Sequence, residues 1–369
     1  MSNDITRRKF VKVTTTAAGL TVGGALLGGC SAGASASSAA STTTESTTPG
    51  HMTNGWPKYQ NAMSKAQKVD TAPDDSEALA TFVVVSDSHL SLENQDYVDR
   101  VDNMFKDIAQ FCPDKAAIIV NGDITNSGSM EEWQKFAELA EASGFKYPDD
   151  FVLVIGNHDQ FDSSGGTRAV VNTSDNFREQ VGLTNQPHPY YDRTINGVHL
   201  ILMGPDKFPD DSWVKFGITD EEVTWLDNLL DADLDAGKLS FVFMHEPLYK
   251  TVRNTEPGDW GHAWSLSDED NDNLHNCIKK HPNVIFFTGH THALPDTVQI
   301  EGEEPLYVGT GSIAYCVDDA DDDTTGSADI SEYGSLGWEV TVWETHIRFR
   351  MRDFLNHKYS DLEYAVYKF

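Results

Sequence analysis

Five short apolar runs in this chain all end the same way. Ala80-Thr81-Phe82-Val83-Val84-Val85 leads into Ser86-Asp87-Ser88-His89, and Ala117-Ile118-Ile119-Val120 leads into Asn121-Gly122-Asp123. Phe151-Val152-Leu153-Val154-Ile155 precedes Gly156-Asn157-His158-Asp159, and Leu239-Ser240-Phe241-Val242-Phe243-Met244 precedes His245-Glu246-Pro247. Val284-Ile285-Phe286-Phe287 precedes Thr288-Gly289-His290-Thr291-His292. Short, β-branched-rich runs bounded by turn residues read as buried strands. In an open sheet, the loops at the carboxyl ends of neighbouring strands gather at one crevice, so polar groups spread over roughly two hundred residues are expected to meet there.

Helical patterns separate the runs. Val98, Val101, Phe105, Ile108 and Phe111 recur at helical spacing. Ser129 with Glu132, and Thr219 with Glu222, have the spacing of capping boxes. The first opens a helix carrying Trp133, Phe136 and Leu139; the second opens one carrying Val223, Leu226, Leu229 and Leu230. A polar helix is expected around 267–280, and Val198 to Met203 reads as a further strand. From about Leu306 the pattern changes to period two, with Trp338, Val340, Val342, Ile347, Phe349 and Met351, which predicts half-buried antiparallel strands. Together these predict an α/β (α+β) chain of sheet layers flanked by helices, closed by strands at its C-terminal end.

The polar blocks have the spacing of a coordination site. Asp87 and His89 are two apart, as are His290 and His292. In extended backbone such pairs project to one side. Gly122, Gly156 and Gly289 leave room for backbone to pass close to a site. A ligand set of imidazole and carboxylate without Cys favours Mn, Fe, Zn or Co over Ca.

Taken in order, D-x-H, G-D, G-N-H-D, a single H and G-H-x-H resemble the calcineurin-like metallophosphoesterases, over about Val84 to His292. The resemblance implies a two-sheet β-sandwich flanked by helices, a four-layer α/β/β/α architecture with two metal ions at one edge. It implies that Asp87, His89 and His292 hold one ion, that Asn157, His245 and His290 hold the other, and that Asp123 bridges them. A bridging anion makes physical sense, because dications about 3.5–4 Å apart repel strongly. By the same resemblance, a hydroxide shared by the ions attacks a phosphoester, His158 protonates the leaving oxygen or stabilises the transition state, and Asp159 orients His158. His89 stands where the related purple acid phosphatases have Gly, and the second block lacks their Tyr, so a Tyr-ligated ferric site is not expected. The blocks look closer to the branch that includes cyclic-nucleotide phosphodiesterases. The competing reading is a surface lipoprotein that kept a metal- or ligand-binding site and lost turnover; the intact His158-Asp159 pair argues against it, since a binder needs no leaving-group acid.

The N-terminus reads as a targeting segment. Arg7-Arg8-Lys9-Phe10 precedes an uncharged run from Val13 to Gly29, which resembles a twin-arginine export signal over residues 1–29. Leu26-Leu27-Gly28-Gly29-Cys30 resembles a lipoprotein cleavage box, so Cys30 is expected to carry a lipid and hold the protein at the cell envelope. The Ser-, Thr- and Ala-rich stretch to about residue 55 reads as a tether, and 56–369 as the catalytic domain. The formal net charge of −31 should repel nucleic acid and anionic lipid at long range. The expected partner is therefore a small phosphoester that meets a local positive centre, with membrane contact only through the lipid.

Other features read as ordinary. His51, His188, His199, His275, His281, His346 and His357 are expected to be satisfied polar or core residues, and Asp318 to Asp323 a solvated loop. Cys112, Cys277 and Cys316 read as core residues or one optional disulfide. Trp260, His262 and Trp264 either wall a cleft or pack a loop. Recognition is expected on the loops at 160–175, 204–217 and 249–266.

Overall fold

The computed structural model describes residues 66–162, 171–207, 217–263, 265–316 and 334–369. In chain order its main strands are β1 (Gln67–Val69), β2 (Ala80–Val85), β3 (Ala117–Asn121), β4 (Phe151–Val154), β5 (Tyr191–Ile195), β6 (Val198–Leu202) and β7 (Ser240–Phe243). They continue with β8 (Val284–Thr288), β9 (Asp296–Gln299), β10 (Leu306–Gly309), β11 (Leu336–Val342), β12 (His346–Asp353) and β13 (Lys358–Lys368). A seven-stranded sheet has the order β1-β13-β12-β11-β2-β3-β4, and a six-stranded sheet the order β9-β10-β8-β7-β6-β5. The five runs are β2, β3, β4, β7 and β8. In one sheet β2, β3 and β4 are parallel, and in the other β6, β7, β8 and β10 are parallel. Strands covered on both faces must be apolar at every position, which is why these runs are continuous rather than alternating.

Successive side chains along β2 serve different cores. Phe82 and Val84 face the other sheet, where they join Leu200, Phe241, Phe243, Ile285 and Phe287. Val83 and Val85 face outward, against the apolar side of α1 (Gln95–Phe111) and α2 (Met130–Ala142), with Phe105, Ile108, Trp133 and Phe136. On the far side Val242, Met244 and Phe286 pack on Leu226, Leu230 and Leu274 of α3 (Asp220–Asp235) and α4 (Asp268–Ile278). The result is the expected order of layers: helix, sheet, sheet, helix.

Two local expectations change. Ser129 and Thr219 cap their helices by accepting from the amides of Glu132 and Glu222, each at 3.3 Å. The glutamate side chains reach past the cap: Glu132 takes Ser127 N and Oγ at 2.8 Å, and Glu222 takes Gly204 N at 3.1 Å while the Thr219 amide goes to Asp206 Oδ1 at 2.7 Å, so each ties a preceding loop to its helix. Strand β11 is buried on both faces instead of one. Its outer Glu339 is 3 % exposed because Arg350 and Tyr359 cover and hydrogen-bond it. Cys112, Cys277 and Cys316 are buried and free, so they form no disulfide among themselves.

Helix α1 is fastened to the C-terminal strands by a buried ion pair. Arg352 Nε and Nη2 donate to Asp107 Oδ2 and Oδ1, both at 2.7 Å, and His357 Nδ1 lies 2.9 Å from Asp107 Oδ1. Removing one partner of a buried pair leaves an uncompensated charge. Arg352→Met is therefore expected to lower stability by about 3–5 kcal/mol, read as a fall in the urea midpoint with an unchanged slope.

Candidate metal centre

The loops after β2, β3, β4, β7 and β8 meet at one rim. Asp87 N donates to Gly122 O at 3.0 Å and His89 N to Asp123 O at 2.9 Å, which locks the first loop on the second. Asp123 Oδ1 accepts from His158 N at 2.8 Å and so holds the third loop. Across the sheets, His245 Nδ1 donates to Asn121 O at 2.8 Å, and Asp87 Oδ2 accepts from His290 N at 3.0 Å. The glycines permit this crowding. A Cβ on Gly156 would lie 2.2 Å from Asp123 N, and one on Gly289 would lie 2.0 Å from Ser86 Oγ.

All seven expected ligands converge. Asp87, His89 and His292 offer ligand atoms within 4.8 Å of one another, and so do Asp123, His245 and His290. Asp123 Oδ2 stands between the groups, 3.2 Å from His245 Nε2 and 3.6 Å from His89 Nε2. Asp87 Oδ1 is 3.1 Å from His292 Nε2, which is itself 3.0 Å from His89 Nε2. Asn157 Oδ1 lies 3.1 Å from His290 Nδ1. His158 is half-buried beside them, its ring 4.5 Å from that of His89.

These residues fit a pair of cations on several grounds. Asp87 Oδ1 and His245 Nε2 are buried without a hydrogen-bond partner, a costly arrangement unless something else meets them. Backbone carbonyls accept a hydrogen bond from the far nitrogen of two rings: Asn121 O from His245, and Tyr315 O from His292 at 3.1 Å. That tautomer leaves each Nε2 lone pair facing the site, the usual way of orienting a metal-bound imidazole. Asp87, His89, Asp123, His290 and His292 all have left-handed backbone, with φ between 41° and 65°. Each such residue costs roughly 1–2 kcal/mol, a concentration of strain expected at a functional site.

The electrostatics follow from burial and charge. Burial pushes the Asp87 carboxyl up, but His292 and His245 more than offset it and bring it to about 2. Asp123 is likewise raised by burial and carried well below the carboxylate range by His245 and His158. Burial and the neighbouring His245 lower His290 to about 3, and burial with His158 lowers His89, so both rings are neutral bases. Burial lowers His245, yet the charges of Asp123 and Asp87 raise it overall, which shows how strongly the two carboxylates favour positive charge at that spot.

Asp159 has a different task from the expected one. His158 Nδ1 rests on Asn126 O at 2.9 Å, so a carbonyl, not Asp159, orients the ring. The Asp159 carboxylate accepts from Ile124 N, Thr125 N, Thr125 Oγ and Gly156 N at 2.8–3.2 Å. It therefore pins the second loop to the third. Burial and the Asp123 charge push Asp159 up to about 7, against the pull of those donors.

The carbonyls of Asn121, Asn126 and Tyr315 were not visible in the sequence, because a backbone acceptor has no residue signature. The Tyr315 ring also packs 4.2 Å from His292. The His262 ring lies tilted against that of Tyr249, their centres 4.0 Å apart, and Arg253 faces Asp296 at 3.7 Å, so neither is aimed at the centre by these contacts. Trp264, His51 and Asp318 to Asp323 lie outside the described residues, as do the side chain of Trp260 and parts of the 160–175 and 204–217 loops.

Residues 80–294 match the calcineurin-like phosphoesterase family. No curated protein matches the chain. Among solved structures, a dimetal phosphatase from Danio rerio is similar at 12% identity and a TM-score of 0.54, over 79% of this chain and 99% of that one. A purple acid phosphatase from yellow lupin seeds is similar at 14% identity and 0.53, over 78% of this chain and 53% of that one. GAP50, the anchor in the inner membrane complex of Plasmodium, is similar at 12% identity and 0.51, over 77% and 87%. At such identities these likenesses concern the fold. With the family's matched segment covering more than half of the chain, including every polar block at the rim and the strands that lead into them, the chain belongs to the calcineurin-like phosphoesterase family of hydrolases.

Proposed function

We propose that the chain is a dinuclear-metal phosphoesterase. In this reading Asp87, His89 and His292 would hold one ion and Asn157, His245 and His290 the second, with the Asp123 carboxylate within reach of both groups. The observation that carries it is the gathering of those seven side chains, from loops of both sheets, around buried Asp87 Oδ1 and His245 Nε2 that no hydrogen bond meets. The donor set of imidazole, carboxylate and amide suits Mn, Fe or Zn. Bound, such a pair supplies charge neutralisation for a phosphoryl group and a water acidic enough to attack phosphorus near neutral pH.

The chain's own residues have three tasks. Asp87 and Asp123 place two negative charges where cations are wanted, in a site where little water screens them. His158 keeps Nδ1–H on the Asn126 carbonyl, so Nε2 is the atom left for the leaving oxygen, to which the imidazolium form would give its second proton. Asp159 keeps the Asp123 and Asn157 loops in register. The substrate is a small phosphomonoester or phosphodiester, and a net charge of −31 disfavours nucleic acid. GAP50 is described as an anchor, so fold alone does not separate turnover from binding; the leaving-group acid is what favours turnover here.

A phosphoester panel with Mn2+-reconstituted protein tests the reading. Turnover that chelator abolishes is expected, and His158→Ala should lower kcat by about 10²–10⁴-fold with metal content unchanged. Metal bound without turnover on any ester would make the chain a binding protein on the same fold. Asp159→Ala strands buried amides and should cost at least about 3 kcal/mol; it should also lower kcat at saturating metal, measured beside thermal unfolding. The export reading adds that the mature protein is held at the cell envelope through lipidated Cys30. Cys30→Ser should then move it from the detergent to the aqueous phase in phase partitioning, and equal partitioning of the two would exclude the anchor.

A further inference from the structure

On the opposite side of the six-stranded sheet from the inter-sheet core, a second set of metal-ligating side chains joins α3 to the end of α4. Asp227 and Asp231 are one turn apart on α3. Cys277 is near the end of α4, and His281 follows in the turn after it. Cys277 Sγ is 3.4 Å from Asp227 Oδ1. His281 Nε2 is 3.7 Å from Asp227 Oδ1 and 3.1 Å from Asp231 Oδ1. The ligand atoms of Asp227, Cys277 and His281 lie within 4.8 Å of one another.

We propose that Asp227, Asp231, Cys277 and His281 form a separate binding site for a single zinc-class divalent cation, which staples α3 to α4. Four observations carry this. The donors are mixed thiol, imidazole and carboxylate, a set that suits zinc and excludes calcium or magnesium as the preferred ion. The spacing of Asp227, Cys277 and His281 fits: tetrahedral zinc bonds imply edges of about 3.4 Å between nitrogen and oxygen and about 3.6 Å between sulfur and oxygen, close to those found, and Asp231, outside that close set but 3.1 Å from His281 Nε2, is the exposed acid that would turn in as the fourth ligand. The imidazole is oriented as a ligand, because His281 Nδ1 donates to Cys277 O at 3.0 Å and turns Nε2 toward the acids. Finally, the site has a rigid floor and an open side. His281 is 2 % exposed at its side chain, whereas Asp227 and Asp231 are 38 % and 46 % exposed, and a surface hollow of about 390 Å³ beside Asp227 and Cys277 gives an ion a way in. On binding, the Cys277 thiol proton leaves to solvent and the thiolate takes its place on the metal.

Neither the spacing nor the lone cysteine announces this site in the sequence, where His281 and Cys277 read as core residues. It shares no residue with the Asp87–Asp123 centre, and that centre has no sulfur, so the two are separable by spectroscopy. The full-length protein is titrated with Co2+. A near-ultraviolet sulfur-to-cobalt charge-transfer band is expected, with the final intensity of one cobalt–thiolate bond per chain and displaced by Zn2+. It should persist in Asp123→Ala, disappear in Cys277→Ser, and need at least about tenfold more Co2+ in Asp231→Asn. The last variant alters an exposed side chain and covers the case in which Cys277→Ser fails to fold. Absence of a sulfur band in the wild type, its survival in Cys277→Ser, or an unchanged titration in Asp231→Asn would each overturn the proposal, and none of these depends on whether the first centre turns over.

Discussion

Two carboxylates taken out of water dominate this structure. Asp87 and Asp123 are 0 % and 2 % exposed, in a chain that already carries a large excess of negative charge. Isolated, each would cost several kcal/mol to bury as an anion. Everything around them reduces that cost. Imidazoles from both sheets face them, backbone amides of His158 and His290 donate to them, and glycines let neighbouring loops approach to a distance that a Cβ would forbid. The left-handed backbone at five of these positions is the strain accepted for pointing so many polar groups at one small volume.

The sheets make that volume available. Parallel strands deliver all their carboxyl ends to one side, so each sheet alone gathers its loops along an edge. Stacking the sheets brings two such edges together, and the Asn121 carbonyl is where they are joined: it accepts from Ser86 Oγ at 2.7 Å in its own sheet and from His245 in the other. Rigidity comes from beneath. The strands feeding the rim are buried on both faces, and Asp159 collects four donors from two loops, so the ligand-bearing residues sit on a packed platform rather than on free loops.

The helical layers show the same economy of placement. On one side, Asp107 of α1 pairs with Arg352 of β12 and ties the C-terminal strands to the first helix. On the other, the acids of α3 face the thiol and imidazole at the end of α4. Both are contacts between helix-borne carboxylates and groups far away in sequence. They differ in what completes them: a guanidinium satisfies Asp107 internally, while the α3–α4 cluster has the donor chemistry of a cation site.

Much of this was legible in the sequence, for a definite reason. Strands covered on both faces cannot alternate, so β2, β3, β4, β7 and β8 announce themselves as apolar runs, and the polar residue after each run must lie at a strand's carboxyl end. Position alone marked the polar blocks that hold Asp87, His89, Asp123, Asn157, His158, His245, His290 and His292, and the family resemblance picked those residues out of them. It could not place Asp159, whose partners are backbone amides from another loop, nor see that Glu339 lies on a covered face, because the cover comes from residues 350 and 359. Short-range chemistry, such as caps, periodicity and the order of ligands, is written along the chain. Which carbonyl holds which ring, and which carboxylate meets which cation, depends on the distance between segments far apart in sequence, and only the packing of the two sheets and their helices sets that distance.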